Sequence, residues 1–329
     1  MNTGKGFFVK DGRIFDPNGV EFIPMGCNAA VFWDGRGDCK LRSLSEYIPN
    51  AGANTVRLVT LTPPEFNEAN AWAWNASHRM HQEMVRRCVE SGLVPMLEMH
   101  DATCRDPHFD AIAAYWKSPE TVQLCKDYEE HLFINLANEH DFPTAEDWRD
   151  EYSKLIGDLR ALGVRNPIVL DASGTCGQDP DVIKLYGREV LESDPERNVI
   201  FSVHMYIRWR TEIPERVPDG WRFIHSVEQE IAWFRENAFP LIIGEFGWHE
   251  PMDPGNSVGF RGDLVIETLE KHGYGWYFWS WNEELYPKDQ YYCMVKNPCS
   301  DGSPETLTPA GEYIIPYWKA KAKRASHFE

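Results

Sequence analysis

Two glutamates, Glu139 and Glu245, are the residues of this sequence best suited to chemistry. Each closes an apolar run, LFINLANE (Leu132–Glu139) and LIIGEFG (Leu241–Gly247), and is followed by a loop. Two carboxyl groups that face each other are what hydrolysis of a glycosidic bond needs, because one must protonate the leaving oxygen while the other attacks the anomeric carbon. Neighbouring groups can hold one carboxyl protonated and the other ionised.

Other polar or aromatic residues also end apolar runs. Any one of them alone is most simply a structural residue with its hydrogen bonds satisfied; Arg57, for example, could be a buried ion-pair partner of Glu98. Burying many such groups is costly unless they pair with each other or with a ligand. We therefore expect them to meet at one site. They are Arg57, His100, Asp101, Asn138, His204, Tyr206, Trp279, Ser280, Trp281 and Asn282.

These residues lie on a regular alternation of short apolar runs and helix-length amphipathic stretches. Strands that alternate with helices indicate a parallel sheet, and eight such units predict a closed (β/α)8 TIM barrel, an α/β fold with its site at the C-terminal strand ends. No G-x-G-x-x-G turn follows the first run, which argues against a dinucleotide cofactor. The runs are Phe22–Asn28, Thr55–Thr60, Val94–Ala102, Leu132–Glu139, Ile168–Ser173, Val199–Tyr206, Leu241–Gly247 and Gly275–Asn282.

The segment before the first run, Phe7–Phe22, alternates apolar residues around the turns Asp11-Gly12 and Asn18-Gly19. This pattern predicts a small N-terminal β-ribbon that closes the bottom of the barrel. No linker or short repeat interrupts the chain, so we expect a single catalytic domain over residues 1–329. The predicted helices each end just before a glycine. They are Ser43–Ala51, Ser77–Ser91, Ala145–Ala161 and Leu264–His272.

The composition limits the partners. A formal net charge of −18 argues against nucleic acid and against an anionic membrane surface. Thirteen Trp, thirteen Tyr and seventeen Phe suit a cleft lined with flat apolar platforms for sugar rings, although part of them belongs to the core. We expect a monomer that binds a sugar, without nucleic acid or membrane; that the sugar is a β-linked polysaccharide or oligosaccharide is implied only by the resemblance given below.

The cysteines bear on metals and on location. None of the eight forms a C-x-x-C pair, which argues against zinc, and we expect no metal and no cofactor. Met1–Lys10 has no apolar signal region and no apolar stretch of membrane-spanning length exists. We expect a secreted protein whose signal peptide is missing from this sequence, with a cytoplasmic location as the alternative. Cys293 and Cys299 share one loop and are the candidate pair for a local disulfide after export.

Six strings in order resemble glycoside hydrolase family 5, over about residues 20–285. Within that family the chain most resembles the bacterial-type endo-β-1,4-mannanases, which share strings like LEMHDAT and SVHMY. The resemblance implies a retaining cleavage of internal β-1,4-mannosidic bonds. The strings are GANTVRL (Gly52–Leu58), LEMHDAT (Leu97–Thr103), INLANE (Ile134–Glu139), VIFSVHMY (Val199–Tyr206), IIGEFG (Ile242–Gly247) and WYFWSWN (Trp276–Asn282).

The same resemblance implies roles for the polar strand ends. Glu139 is expected to be the acid/base and Glu245 the nucleophile. Arg57 and Tyr206 are expected to hold the nucleophile's carboxylate. Asn138 is expected to bind the substrate 2-hydroxyl.

Five further residues are expected to bind the sugar on this resemblance. His204 neighbours the catalytic pair, and His100 lines the −1 subsite. Trp279 is the sugar platform there, with Trp281 as the alternative platform. Trp33, in the string CNAAVFW after the first strand, completes the set.

Two departures from the family weaken the choice of substrate. His140 follows Glu139 where the family has Pro or Trp, and Ala29 and Ala30 stand where mannanases often carry a histidine. An endo-β-1,4-glucanase is therefore the alternative within the family. A non-catalytic carbohydrate-binding barrel would not need both glutamates with their supports. A metal-dependent hydrolase would need clustered ligands on the first strand, which offers Cys27 and Asn28.

Overall fold

The computed structural model describes residues 3–30, 37–104, 109–211, 224–248, 260–281 and 291–328. Every apolar run predicted from the sequence contains a strand or overlaps most of one. Within the described residues the strands are β1 (Phe8–Lys10), β2 (Arg13–Phe15), β3 (Met25–Ala30), β4 (Thr55–Thr60), β5 (Val94–Met99), β6 (Phe133–Asn135), β7 (Ile168–Asp171), β8 (Val199–Met205), β9 (Trp209–Arg210), β10 (His225–Ser226), β11 (Leu241–Phe246) and β12 (Gly275–Phe278).

Eight of the strands form a closed parallel barrel. Strands β3 to β8 pair in chain order, β8 pairs with β11, β11 with β12, and β12 with β3, so the sheet has no free edge. The barrel strands are buried along their whole length, as expected for a parallel sheet covered on both faces. The predicted (β/α)8 barrel is confirmed.

Helices cover the outside of the barrel, and the predicted helix ends hold. The helix that follows Ser77 begins with the Ser77 side chain accepting a hydrogen bond from the backbone N–H of Met80. Between the first two helices, Ser43–Tyr47 forms a π-helical turn. In the part of the chain that the structure describes, the α-helices are α1 (Gly37–Arg42), α2 (Ile48–Ala51), α3 (His78–Glu90), α4 (Phe109–Trp116), α5 (Pro119–Asp127), α6 (Ala145–Ala161), α7 (Asp181–Ser193), α8 (Val227–Glu236), α9 (Gly262–His272) and α10 (Pro309–Lys321).

The N-terminal ribbon closes the bottom of the barrel, as predicted. β1 and β2 pair antiparallel around Asp11 and Gly12, whose φ angles of 52° and 69° suit a two-residue hairpin turn. Phe7, Ile14 and Phe22 are buried against residues near the starts of the barrel strands, such as Val94 and Phe133. Because this end is plugged with apolar side chains, the opposite end, where the strands finish, is left for a site.

The prediction of a Cys293–Cys299 disulfide is wrong. Cys299 is bonded to Cys39 on α1, and a second disulfide joins Cys104 to Cys176. Cys293 is fully buried, and its carbonyl accepts a hydrogen bond of 2.6 Å from the Thr308 hydroxyl just before α10. Burial in the core thus keeps Cys293 away from its neighbour in sequence. In the described part of the chain, no helix combines the length and the apolar composition that a membrane span requires.

Candidate active site

Arg57 is the centre of a buried polar network inside the barrel. Its guanidinium donates to Glu245 Oε1 at 2.6 Å, and to the side-chain oxygens of Asn28, Asn135 and Asn138 at 2.9, 2.9 and 2.7 Å. A planar guanidinium has five N–H donors in a fixed fork, so one residue can hold four side chains from three strands and their ends at once.

The charge of Arg57 is balanced by carboxylates. Glu98 and Asp171 lie 3.9 and 3.5 Å from its Nη2. Burial opposes a charge here, but Glu98, Glu245 and Asp171 outweigh it and raise the pKa of Arg57 above its ordinary value. The ion pair with Glu98 predicted as the structural alternative is thus present, together with the contacts to the site.

A bulge in β11 aims Glu245 into the site. The register between β11 and β8 shifts between Ile243, opposite Val203, and Glu245, opposite His204. Gly244 is the extra residue. A Cβ on Gly244 would lie 2.3 Å from Ser202 Oγ and 2.8 Å from His204 Nε2, so only glycine allows this close approach.

Both oxygens of the Glu245 carboxylate are occupied by donors. Oε1 accepts from Arg57, and Oε2 accepts from the Tyr206 hydroxyl at 2.9 Å. These donors fix the orientation of the carboxylate and stabilise its negative charge. Arg57 and Tyr206 therefore lie where the sequence predicted them, against Glu245.

Glu139 is held in an unusual backbone conformation. Its φ of 48° is in the left-handed region, which few non-glycine residues adopt. Its N–H donates to Asp171 Oδ2 at 3.1 Å, and its carbonyl accepts from the N–H of Cys104 at 3.1 Å. Burial, and then the charge of Glu245, raise the pKa of Glu139 although His204 opposes this. The carboxyl group is thus suited to carry a proton.

His204 lies between the two glutamates. Its Nδ1 is 2.7 Å from Glu139 Oε1 and 3.5 Å from Glu245 Oε2, and its Nε2 is 3.4 Å from Asp171 Oδ2. Burial alone would lower the pKa of His204, but Glu245, Asp171 and Glu139 raise it to about 9. These carboxylates therefore favour the cationic form of the imidazole.

The same cluster could in principle hold a metal ion, since ligand atoms of Glu139, His204 and Glu245 lie within 4.8 Å of one another. A protonated His204 cannot be a ligand, and the Arg57 charge opposes a second cation. Cys104 and Cys176 also lie near Glu139, but their sulfurs are joined and offer no thiolate. The absence of a metal stays a prediction.

The glutamates open into a cavity of about 420 Å³. One wall is aromatic: the rings of His100 and Trp279 stack at 5.9 Å and 18°. On another wall, the rings of Tyr206 and Tyr292 pack edge to face, with their centroids 6.0 Å apart. The cavity thus has the flat apolar surface and the polar base that a sugar ring requires. Its lining residues are His100, Cys104, Glu139, Cys176, Gln178, Tyr206, Glu245, Trp279 and Tyr292.

Two polar side chains at the end of β5 and β6 complete the base. His100 Nδ1 lies 2.9 Å from Glu98 Oε1, and the charge of Glu98 raises the pKa of His100 against the effect of burial. Asn138 donates to the Thr103 hydroxyl at 2.9 Å and accepts from Arg57, so its amide is fixed in orientation. Its Nδ2 is also 3.5 Å from His100 Nε2.

The structure brings together most, but not all, of the predicted site residues. Arg57, His100, Asn138, His204, Tyr206 and Trp279 gather around Glu139 and Glu245. Trp281 does not join them: it is 2% exposed and lies in the main core. Because β12 ends at Phe278, strict alternation no longer relates Trp279 to Trp281. Trp33 lies outside the described residues.

Several residues of the site escaped the sequence reasoning. Asp171 ends β7 as a polar group, and the rule used for the other strands would have found it. Asn28 and Asn135 are polar residues inside apolar strands, and this pattern is a weaker form of the same signal. The disulfide beside Glu139 had no signal, since Cys104 and Cys176 are distant in sequence and share no motif.

Comparisons with known proteins agree on one family. The family model described as cellulase (glycosyl hydrolase family 5) matches residues 15–285. The mannan endo-1,4-beta-mannosidase of Salipaludibacillus agaradhaerens is 29% identical over 280 residues, which are 84% of this chain and 81% of that protein.

Solved structures give the same result. The mannohexaose complex of the Thermomonospora fusca beta-mannanase has a TM-score of 0.78 at 27% identity, and covers 99% of this chain and 100% of that chain. The beta-mannanase of Streptomyces thermolilacinus with mannohexaose has a TM-score of 0.78 at 25% identity, covering 98% of each chain.

Proposed function

The chain belongs to glycosyl hydrolase family 5, and we propose that it is a retaining endo-glycoside hydrolase that cleaves β-1,4-mannosidic bonds in mannan or glucomannan. One observation carries the chemistry: two buried carboxyl groups in one cleft, one held by Arg57 and Tyr206 and the other against His204. Mannanase relatives and mannohexaose-bound structural neighbours support the choice of sugar.

The separation of the carboxyl groups supports retention. One oxygen of Glu139 and one of Glu245 lie within 4.8 Å of each other. Retaining enzymes hold the two groups about 5–5.5 Å apart, whereas inverting enzymes need about 6.5–9.5 Å to admit a water molecule behind the sugar. The short separation leaves room for direct attack by one carboxylate on the anomeric carbon.

In the first step, Glu245 attacks the anomeric carbon while protonated Glu139 donates its proton to the glycosidic oxygen. A bond forms between the anomeric carbon and a carboxylate oxygen, and the bond to the leaving oxygen breaks, which releases an alcohol. Glu245 gives up its negative charge as the ester forms. The charge of Glu245 is one of the causes that raise the pKa of Glu139, so its loss lowers that pKa. Glu139 can then stay deprotonated and act as a base in the next step.

In the second step, Glu139 takes a proton from water as the water attacks the anomeric carbon. The ester bond to Glu245 breaks, and the carboxylate returns to its donors, Arg57 and Tyr206. Two displacements on one carbon restore the original configuration. Glu139, protonated again, is ready for the next bond.

The remaining residues position the sugar in this proposal. Asn138, fixed by Arg57 and Thr103, presents its amide to the 2-hydroxyl. Trp279 is the platform under the −1 sugar, beside His100. All of them belong to a single domain over residues 1–329.

The two disulfides favour a protein that works outside the cytoplasm, in an oxidising environment where disulfides persist.

The proposal is tested by release of reducing sugar from mannan, glucomannan, carboxymethylcellulose and xylan, with product sizes followed by chromatography. We expect rapid release of mixed oligosaccharides from mannan and glucomannan, as internal cleavage gives, and loss of that release in Glu245→Gln. Rapid hydrolysis of carboxymethylcellulose with mannan left intact would establish the glucanase alternative instead. Binding of mannan without hydrolysis would support a carbohydrate-binding barrel.

A further inference from the structure

A disulfide lies directly beside the proposed catalytic acid. Cys104 belongs to the segment after β5, and Cys176 to the segment after β7. Glu139, four residues beyond the intervening strand β6, lies between these two segments. The bond between the cysteines therefore closes over the backbone that carries Glu139, and both cysteines line the cavity.

The disulfide also contacts the reacting group. Sγ of Cys104 is 3.5 Å from Oε2 of Glu139, and Sγ of Cys176 lies within 4.8 Å of an oxygen of the same carboxyl. The other oxygen, Oε1, is held by His204 at 2.7 Å. The carboxyl is thus packed between an imidazole on one side and a disulfide on the other. Sulfurs in a disulfide have no proton to donate, so this side offers the carboxylate form no stabilising donor.

Backbone hydrogen bonds join both cysteine segments to the loop that begins at Glu139. The N–H of Cys104 donates to the Glu139 carbonyl at 3.1 Å. The N–H groups of Gly174 and Cys176 donate to the carboxylate of Asp141 at 2.8 and 3.4 Å. The left-handed conformation of Glu139 is costly for a residue with a side chain, so it must be held from outside. The two segments do this, and the disulfide fixes them to each other.

We propose that the Cys104–Cys176 disulfide is a positioning element for the catalytic acid: it presses the Glu139 carboxyl against His204 and places a surface without hydrogen-bond donors on one side of its second oxygen, while Glu139 still lines the cavity. The proposal rests on the function proposed above. It assigns a role in catalysis to two residues outside the polar network, Cys104 and Cys176, and it makes acid catalysis depend on whether the bond between them is intact.

Loss of the disulfide is expected to slow cleavage of some substrates more than others. Without the bond, water also reaches Oε2 from the side of the two cysteines and stabilises the ionised carboxyl, so the alkaline limb of activity moves to lower pH. Protonation of the leaving group becomes slower, and this matters only where the leaving group needs a proton. Hydrolysis of mannan suffers, whereas hydrolysis of an aryl β-mannobioside with a strongly activated phenol is spared.

The second disulfide supplies the control. Cys39–Cys299 does not line the cavity, so Cys39→Ser/Cys299→Ser is expected to lower stability and leave the pH profile in place. In that double variant Cys104–Cys176 is the remaining disulfide among the described residues, and Cys27, Cys88, Cys125 and Cys293 are buried. A phosphine reductant, with one water molecule that supplies the oxygen and the two protons, converts the bond to two thiols and itself becomes the phosphine oxide; reoxidation restores the bond without any mutation at the site.

The experiment measures kcat/KM for mannan and for the activated aryl mannobioside, before reduction, after reduction and after reoxidation. On reduction we expect kcat/KM for mannan to fall about 10–10²-fold, with the alkaline limb about one pH unit lower and the aryl substrate changed less than about threefold. Cys104→Ser/Cys176→Ser repeats the measurement with the bond removed permanently. Circular dichroism and thermal melting monitor folding in every sample.

Equal losses on both substrates with an unmoved alkaline limb would overturn the proposal, because they indicate a merely structural role. Unchanged activity after complete reduction, counted by thiol titration, would overturn it as well. Failure of the proposed function looks different: the oxidised wild-type protein would then cleave neither substrate.

Discussion

Nδ1 of His204 lies 2.7 Å from Oε1 of Glu139, closer than its 3.5 Å approach to Oε2 of Glu245. A cationic imidazole, with a pKa raised to about 9, therefore donates to the group that we propose as the acid. That hydrogen bond lowers the pKa of Glu139, while burial and Glu245 raise it more. The affinity of Glu139 for its proton is thus a balance in which His204 is the largest opposing contribution.

Replacing His204 tests this balance. In His204→Gln the opposing charge is gone, so the pKa of Glu139 rises further and the alkaline limb of kcat/KM moves to higher pH. The rate at the optimum falls, by about 10²-fold, because the acid loses the partner that orients it. The measurement is the pH profile on soluble glucomannan, with thermal melting as the control for folding. An alkaline limb that stays in place, or moves to lower pH, would show that His204 does not act on Glu139.

Arg57 is expected to be indispensable for stability as well as activity. Arg57→Met leaves the carboxylates of Glu98, Asp171 and Glu245 buried without their cation, at a cost of about 3–5 kcal/mol in the free energy of unfolding. Arg57→Lys keeps a charge but not the planar fork that reaches the asparagines. We expect it to recover part of the stability and little of the activity. Urea denaturation and kcat/KM measure the two effects, and an Arg57→Met protein as stable as the wild type would contradict the first.

The two tryptophans after β12 are a matched pair. Trp279 lines the cavity and Trp281 is packed in the core. Trp279→Ala should lower kcat/KM by about tenfold or more, the factor for 1.4 kcal/mol of lost contact. Trp281→Ala should instead cost about 3–5 kcal/mol of stability. Its kcat/KM, measured at a temperature where it is folded, should stay near the wild-type value; the opposite assignment of effects would show that the sugar platform has been misplaced.

The order of elements was predictable because it depends on local patterns. Apolar runs such as Thr55–Thr60 and glycines such as Gly52 mark strands and helix ends directly. That Glu139 and Glu245 lie together in one cleft was predictable for a related reason. A carboxylate that closes an apolar run has few structural explanations. The geometry of the barrel then brings strand ends together without further information from the sequence.

What escaped prediction depends on distance in space between residues far apart in sequence. Cys39 and Cys299 are 260 residues apart, and no local pattern relates them. The sequence instead suggested the neighbours Cys293 and Cys299, because no local pattern shows that Cys293 is buried, with its carbonyl bonded to Thr308 just before α10. Trp279 and Trp281 differ for a similar reason: both follow a strand, and only the path of the chain after Phe278 decides which one faces the cavity.

A histidine pair at the bottom of the barrel predicts loss of stability in acid. Nδ1 of His131 lies 2.8 Å from Nε2 of His327, and the rings stack at 4.8 Å. Burial lowers the pKa of both histidines, and a positive charge on His327 lowers the pKa of His131 further. The folded protein therefore binds these protons at lower pH than the unfolded chain. The stability that the neutral pair provides is present above about pH 6.5, the ordinary histidine value, and is lost as the pH falls towards the lowered values.

His327→Phe keeps a ring at this position and removes one titration. We expect its free energy of unfolding to fall less than that of the wild type between neutral and acid pH, because the second charge is no longer forced on the pair. Urea denaturation at both pH values gives the comparison, with His225→Phe, a histidine outside this pair, as the control. Equal losses in the wild type and His327→Phe would show that the pair does not contribute.

The division of labour between the two glutamates is the prediction on which the mechanism depends. Glu245→Ala removes the nucleophile, so turnover should be abolished. A small anion such as azide can occupy the vacated space and attack the anomeric carbon. Since only one displacement then occurs, the glycosyl azide should have inverted configuration.

Glu139→Ala removes the acid/base and leaves the nucleophile in place, held by Arg57 and Tyr206. It should still form the glycosyl-enzyme from an aryl mannobioside with a good leaving group, which needs little protonation, and stall before hydrolysis. With mannan, whose leaving group needs the proton, the rate should fall by about 10²–10⁴-fold. Azide should accelerate release of the stalled intermediate and give a product of retained configuration, because two displacements have then occurred. Nuclear magnetic resonance of the anomeric proton distinguishes the two products. Retention in Glu245→Ala together with inversion in Glu139→Ala would mean that the roles of the two glutamates are exchanged, and near-normal turnover of mannan in either variant would remove that residue from the catalytic pair.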